Sequence, residues 1–194
     1  MLTPNRDEQT RAAAIQQAQD EILHKPVYLD TETTGLEKYD QIVEICVLDF
    51  NGSVLVDSLV KPTNKIPVGV TKLHGITDEM VKAAPTWPEI WPAVQAALTG
   101  RHVAIYSADY DMRVMKQSHR HHAMRWKLKG ANFFCIMKLY AQFRGEWDNY
   151  HGSFRWHKLE EAGRQCKIEL PNAHRAKADA LLARAVLHYV AESK

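Results

Sequence analysis

The sequence holds little that would staple or anchor it. Three cysteines occur in 194 residues, Cys46, Cys135 and Cys166, widely spaced and with no CxxC pair. That argues against a disulfide framework or a cysteine zinc site and fits a reducing, cytoplasmic compartment. The three read as core thiols. No apolar run approaches the ~18 residues of a membrane span. The opening MLTPNRDEQTR is polar where a secretory signal would be apolar. No internal repeat, low-complexity tract or linker interrupts the chain. Acidic residues are missing altogether from Met112 to Gly145. That stretch carries Arg113, Lys116, Arg120, Arg125, Lys127, Lys129, Lys138 and Arg144, with His119, His121 and His122. The net charge is only +2, so its distribution matters more. Such a block attracts a polyanion or forms a solvated face.

What is present suits one medium α/β domain. The 45% apolar content is ordinary for a globular chain. Residues 4–24 read as a helix, with Thr3 as cap, Pro4 at the first position, and Asp7 and Glu8 near the positive end. Ile15, Ala18 and Ile22 give it one docking face. We divide the chain into this N-terminal helical extension, 1–24, and a main domain, 25–194. VYLDTET (27–33), QIVEICVLDF (41–50) and SVLVDSLVKP (53–62) read as strands, the last two joined at Asn51-Gly52. Residues 63–76, punctuated by Pro67, Gly69 and Gly75, read as loop, and Thr77 caps a short helix. A helix over 87–98 puts Trp87, Trp91, Val94 and Leu98 on one side. Strands follow at 102–107 and 131–136, and helices at 109–122, 136–144, 156–166 and 175–191. This order predicts one mixed sheet of three antiparallel and two further parallel strands, flanked by helices.

The chemistry lies in carboxylates. Asp30 and Glu32 sit two apart on an apolar strand, so both leave the same face. Two acids sharing a face repel unless a cation sits between them, and Mg²⁺ or Mn²⁺ prefers such hard oxygens. The stretch VYLDTETTGL, with its turn at Thr33-Thr34-Gly35, resembles the first motif of the DEDDh branch of the DnaQ-like 3′–5′ exonucleases, the family of the DNA polymerase III epsilon-type proofreading domain. A second acid opens the helix in VAIYSADYDMRVM. Asp109 and Asp111 lie about 200° apart on a helix, so only one can face the site. The family places an aromatic directly before its ligand, which selects Asp111 after Tyr110. AHRAKADALLARAVL then supplies His174 and Asp179 in the family's H-x-x-x-x-D spacing. KLHGITDEM (72–80) and HKLEEAGRQC (157–166) resemble its connecting segments, so the likeness runs from about residue 26 to 190. Two departures stand out. Ser107 replaces a frequent Asn, and Cys135-Ile136-Met137 replaces an Asp-Thr pair; neither position is a metal ligand in the family.

The resemblance implies a ribonuclease H-like fold and two divalent ions, Mg²⁺ or Mn²⁺, held by Asp30, Glu32, Asp111 and Asp179. It makes His174 the general base, able to take a proton from water. Substrate contacts are expected from Thr31, Thr33, Thr34, Gly35, Leu36, His74, Ser107 and Tyr110, with Leu36 wedged against the last base. Tyr110 is read first as packing, and His74 equally as a turn residue. The implied reaction is stepwise hydrolysis from a 3′ end to nucleoside 5′-monophosphates. Single-stranded DNA is the favoured substrate, and a separately bound DNA polymerase is a candidate partner. The alternatives are an RNA-trimming exoribonuclease of the same fold and a catalytically silent nucleic-acid-binding module. A phosphatase of the haloacid dehalogenase kind would use Asp30 as nucleophile. It would normally carry Asp where Glu32 stands, and it would leave His174 and Asp179 unused.

Overall fold

The structure, a computed structural model, describes residues 6–169 and 174–194. Thr3, Pro4 and the Pro171-Asn172 loop lie outside the described residues. The side chains of Asp7 and Glu8 do too. Strands β1 (Val27–Thr33), β2 (Ile42–Leu48) and β3 (Val54–Leu59) pair antiparallel. Strands β4 (His102–Ile105) and β5 (Asn132–Cys135) add in parallel beyond β1, giving the order β3-β2-β1-β4-β5. This is the mixed five-stranded sheet expected from the order of elements.

The period of two on β1 sorts its residues between two helical layers. Tyr28 faces a core shared with Cys46 and Leu48 of β2. That core is covered by α1 (Arg6–Leu23), α6 (Ile136–Arg144), α7 (Leu159–Gln165) and α8 (Ala176–Glu192). Val27 and Leu29 face the opposite core, under α4 (Trp87–Leu98) and α5 (Ala108–His121). Each aliphatic side chain fully buried on these faces contributes about 1.5–3 kcal/mol. Ala176, Ala180 and Ala183 are buried in the α8 contact, small enough to let the helix lie close to the sheet. At Gly163 of α7 a Cβ would meet the Leu182 methyls at 3.0 and 3.3 Å, so glycine lets the two helices approach closely there. On α4, Trp87, Trp91, Val94 and Leu98 are all buried, as its periodicity requires.

Helix α1 docks through Ala14 and Ala18, both fully buried, with Ile15 and Ile22 partly buried against the same cluster. Its C-terminal end is tied to β4: Glu21 Oε2 meets His102 Nδ1 at 3.1 Å, and the His24 and His102 rings stack at 4.0 Å.

Three features depart from the expectations. The stretch 63–76, expected as loop, contains α2 (Val68–His74), followed by α3 (Asp78–Val81). Pro67 and Gly75 are the caps of α2, and Gly75 stops it in a left-handed turn at φ 75°. The punctuation was the border of an element, not evidence against one. The helix expected from 156 begins only at Leu159. A two-stranded hairpin, β6 (Trp147–Asp148) with β7 (Ser153–Phe154), precedes it. Strands of two residues are too short for a period to show.

Candidate active site

Asp30 and Glu32 leave β1 on its α8 side, and Asp179, in the first turn of α8, comes down to meet them. One carboxylate oxygen from each of Asp30, Glu32 and Asp179 lies within 4.8 Å of the other two. Asp111 arrives from the opposite layer, on the first turn of α5. It is buried, and the hydroxyl of Thr31, on the other side of β1, donates to its Oδ1 at 2.7 Å. Asp109 is exposed and accepts from Lys138 Nζ at 2.6 Å, so of the two helix acids only Asp111 turns toward the cluster.

Like charges at this spacing raise one another's proton affinity. Burial first, then Asp111, Asp179, Glu32 and Glu44, push Asp30 well above the ordinary carboxylate range. Burial, followed by Asp179, Glu44 and Asp111, pushes Glu32 up to about 8, with Arg175 pulling the other way. Burial also raises Asp111, against the Thr31 hydrogen bond. A set of hard oxygens that repel one another fits a divalent cation of the Mg²⁺ or Mn²⁺ kind.

Burial, together with this repulsion, sets a stability trend for the ion-free protein. Between pH 4.5 and about 8 the unfolded chain has released the Glu32 proton while the folded chain still holds it. The folded state then binds more protons, so stability falls as pH rises through that window. We expect Tm in EDTA to drop by on the order of 5 °C across it, and Mn²⁺ to restore it at the alkaline end. A Tm that stays flat across the window would mean that Glu32 is not held above the ordinary carboxylate range.

One residue of the site went unseen in the sequence. Glu44 of β2 lies directly opposite Glu32 in the strand register and is buried. Like charges facing across a sheet destabilise it. Arg175 offsets this: its Nε donates to both Glu44 oxygens, at 3.1 and 3.0 Å, and its Nη2 to one of them. The backbone N–H of Ala176 adds a bond to Glu44 at 2.8 Å. Glu44 therefore clamps the start of the helix that carries Asp179. The available signal was a single acid inside IVEICVL (42–48), a run buried on both faces with no solvent side to hold a charge.

His174 precedes Arg175 with a left-handed backbone, φ 45°. It lies close enough to His74 for the two ring charges to oppose each other. His74, one of the expected substrate contacts, is instead buried as a brace. Its Nε2 bonds the Thr33 carbonyl at 3.2 Å and its Nδ1 accepts from Ile76 N–H at 3.0 Å. Both ring nitrogens are therefore engaged. Burial lowers its proton affinity, which matches this neutral form.

The turn after Glu32 is held by side chains. Thr34 Oγ1 donates to Asp40 Oδ1 at 2.6 Å, and a Cβ on Gly35 would meet Asp40 Oδ2 at 2.7 Å. The Tyr110 hydroxyl bonds the Gly35 carbonyl at 2.9 Å and also meets Thr33 Oγ1. Thr31, Thr33 and Thr34 are buried, so these threonines shape the turn from within. Leu36, by contrast, is 71% exposed. Ser107 caps the start of α5 and lines a cavity of about 310 Å³ with Tyr110, Arg113 and Trp156. The basic block divides. His119 is withdrawn from any surface patch: it is buried edge-on among Trp87, Trp91 and Trp126. Arg113 lies over the Tyr110 ring at 5.3 Å. Among the described residues, no helix is long and apolar enough to cross a membrane.

The family model described as Exonuclease (RNase T) matches residues 27–187. The chain is 38% identical over 190 residues to the protein named Uncharacterized exonuclease CP81 of Escherichia phage 186, covering 94% of this chain and 96% of that one. Its fold is similar to that of Exonuclease X in complex with 5′ overhanging duplex DNA, with TM-score 0.62, 24% identity, and 84% and 89% of the two chains covered. It is also similar to a 3′-exonuclease solved in 3′-end specific recognition of histone mRNA stem-loop, with TM-score 0.69, 15% identity, and 87% and 65% covered.

Proposed function

This chain belongs to the exonuclease family of the RNase T model, and from that premise we propose that it hydrolyses terminal phosphodiester bonds from the 3′ end of a single strand, releasing nucleoside 5′-monophosphates. The observation that carries this reading is the convergence of Asp30, Glu32 and Asp179 within 4.8 Å, with Asp111 beside them. These four would hold two divalent ions, Mg²⁺ or Mn²⁺, which when bound supply charge stabilisation at the scissile phosphate and activation of water. Thr31 fixes the orientation of Asp111 from the far side of the strand. His174 accepts the proton of the attacking water, and its place is set by the clamp of Arg175 on Glu44. The Gly35 turn, held by Tyr110 and Asp40, presents the exposed Leu36 to the last base.

The test uses 5′-labelled single strands, one of DNA and one of RNA, with Mg²⁺ or Mn²⁺. We expect a ladder shortening one nucleotide at a time from the 3′ end, lost in EDTA and in Asp30→Ala. The faster strand names the substrate class. Intact strands with either metal would refute the reaction.

The clamp gives a second expected result. Glu44→Gln should lower kcat by about 10²-fold, the scale on which small misplacements act, while KM changes little. Arg175→Lys cannot make the two-pronged bond and should behave alike. An unchanged kcat in Glu44→Gln would remove the clamp from the mechanism.

A further inference from the structure

The segment between α6 and α7 keeps large aromatics in water. Trp147 is 50%, Tyr150 91% and Trp156 58% exposed. Large aromatics exposed close together, rather than singly, suit a binding surface. The segment is built rather than loose. Arg155 N–H donates to the Glu146 carbonyl at 2.8 Å, Gly152 N–H to the Asp148 carbonyl at 2.9 Å, and Trp147 packs edge-on to Phe154 at 5.2 Å. The Tyr106 hydroxyl holds the His157 carbonyl at 2.9 Å, which ties the segment's exit to the residue just before Ser107 and α5.

Trp156 is the common wall of two cavities. One, about 310 Å³, reaches Ser107 and Tyr110, next to Asp111. The other, about 300 Å³, lies on the hairpin beside Phe154 and Arg155. Both are at the small end of ligand sites, about 300–1,000 Å³. Each cavity carries an arginine and an acid: Arg113 with Asp109, which pairs with Lys138, and Arg155 with Asp148, whose oxygens are taken by the His151 ring and by the backbone N–H groups of Tyr150 and His151. Flat aromatic faces alternating with cations suit a strand whose bases stack and whose phosphates need countercharge. We propose that Trp156, with the β6–β7 hairpin, forms a stacking platform for the bases of a single-stranded polynucleotide upstream of its 3′ end. This rests on the nuclease reading above and deepens it, because it assigns the path of the strand away from the carboxylates.

Two probes separate the platform from the chemistry. The first is a fluorescein-labelled oligothymidylate of about 12 nucleotides, within the span of one stacking groove, read by anisotropy in Ca²⁺ so that turnover is not required. The second is the nitrophenyl ester of thymidine 5′-monophosphate, a phosphodiester with no upstream base. Trp156→Ala should weaken oligomer binding and raise its KM about 10-fold, the worth of one stacked base. Hydrolysis of the ester should be unchanged, and Trp156→Phe should recover most of the binding. Trp147→Ala/Tyr150→Ala, both at exposed positions, should weaken the oligomer in the same direction. An unchanged Kd in both variants overturns the platform and leaves the aromatics to a protein partner. A wild-type chain that binds the oligomer through Trp156 but hydrolyses neither substrate overturns the nuclease reading and keeps the platform.

Discussion

Asp30→Asn should cut turnover by about 10³-fold or more, and yet raise the melting temperature of the ion-free protein. The loss follows, on the function proposed above, from removing one of the carboxylates that would hold the divalent ions, whose charge stabilisation would amount to several kcal/mol. The gain follows from the site itself. Asp30 sits with Asp111, Asp179, Glu32 and Glu44 all raising its proton affinity, and burial raises it most. Asparagine keeps the shape and removes a carboxyl that must take up a proton on folding at neutral pH. Thermal melts in EDTA and in Mn²⁺ test both halves. The variant should melt above wild type in EDTA and lose most of the metal-induced increase. If it melted lower in both, the carboxylates would be stabilising one another through hydrogen bonds and the electrostatic account would be wrong.

His174→Asn should cost about 10² to 10⁴ in kcat, the usual range for a general base. Asparagine is the better probe than alanine because His174 holds a left-handed backbone at φ 45°, a region that Asn tolerates. Metal-induced stabilisation should survive, since the carboxylates remain. The pH–rate profile should lose the limb that reports a base. Turnover within a few-fold of wild type would transfer the base role to another group.

Part of the proposed ligand set was legible in backbone geometry. A period of two puts Asp30 and Glu32 on one face of any strand, whereas the choice of Asp111, His174 and Asp179 rests on the resemblance to the DnaQ-like exonucleases. The sheet itself was legible from the order of apolar runs and turns. What stayed hidden depends on packing. Glu44 reads as one acid in an apolar strand until Arg175, 131 residues away, is seen upon it. His119 reads as part of a basic block until three tryptophans close around it. His74 reads equally as a groove residue or a turn residue until Thr33 and Ile76 are found on its two nitrogens. Helix α2 and the β6–β7 hairpin are set by tertiary seating, not by any local period.

The clamp between Glu44 and Arg175 also bears on when the protein becomes dangerous to nucleic acid. Strands β1 and β2 lie early in the chain, and α8 follows every strand. A domain folds as a unit, and α8 packs on β1 and β2 in one core, so the sheet and that helix are completed together. On the function proposed above, seating α8 would bring Asp179 and His174 to Asp30 and Glu32 in a single step, and the buried acid on β2 is the latch it closes on. A chain in which α8 has not docked would then lack both part of its ligand set and its base.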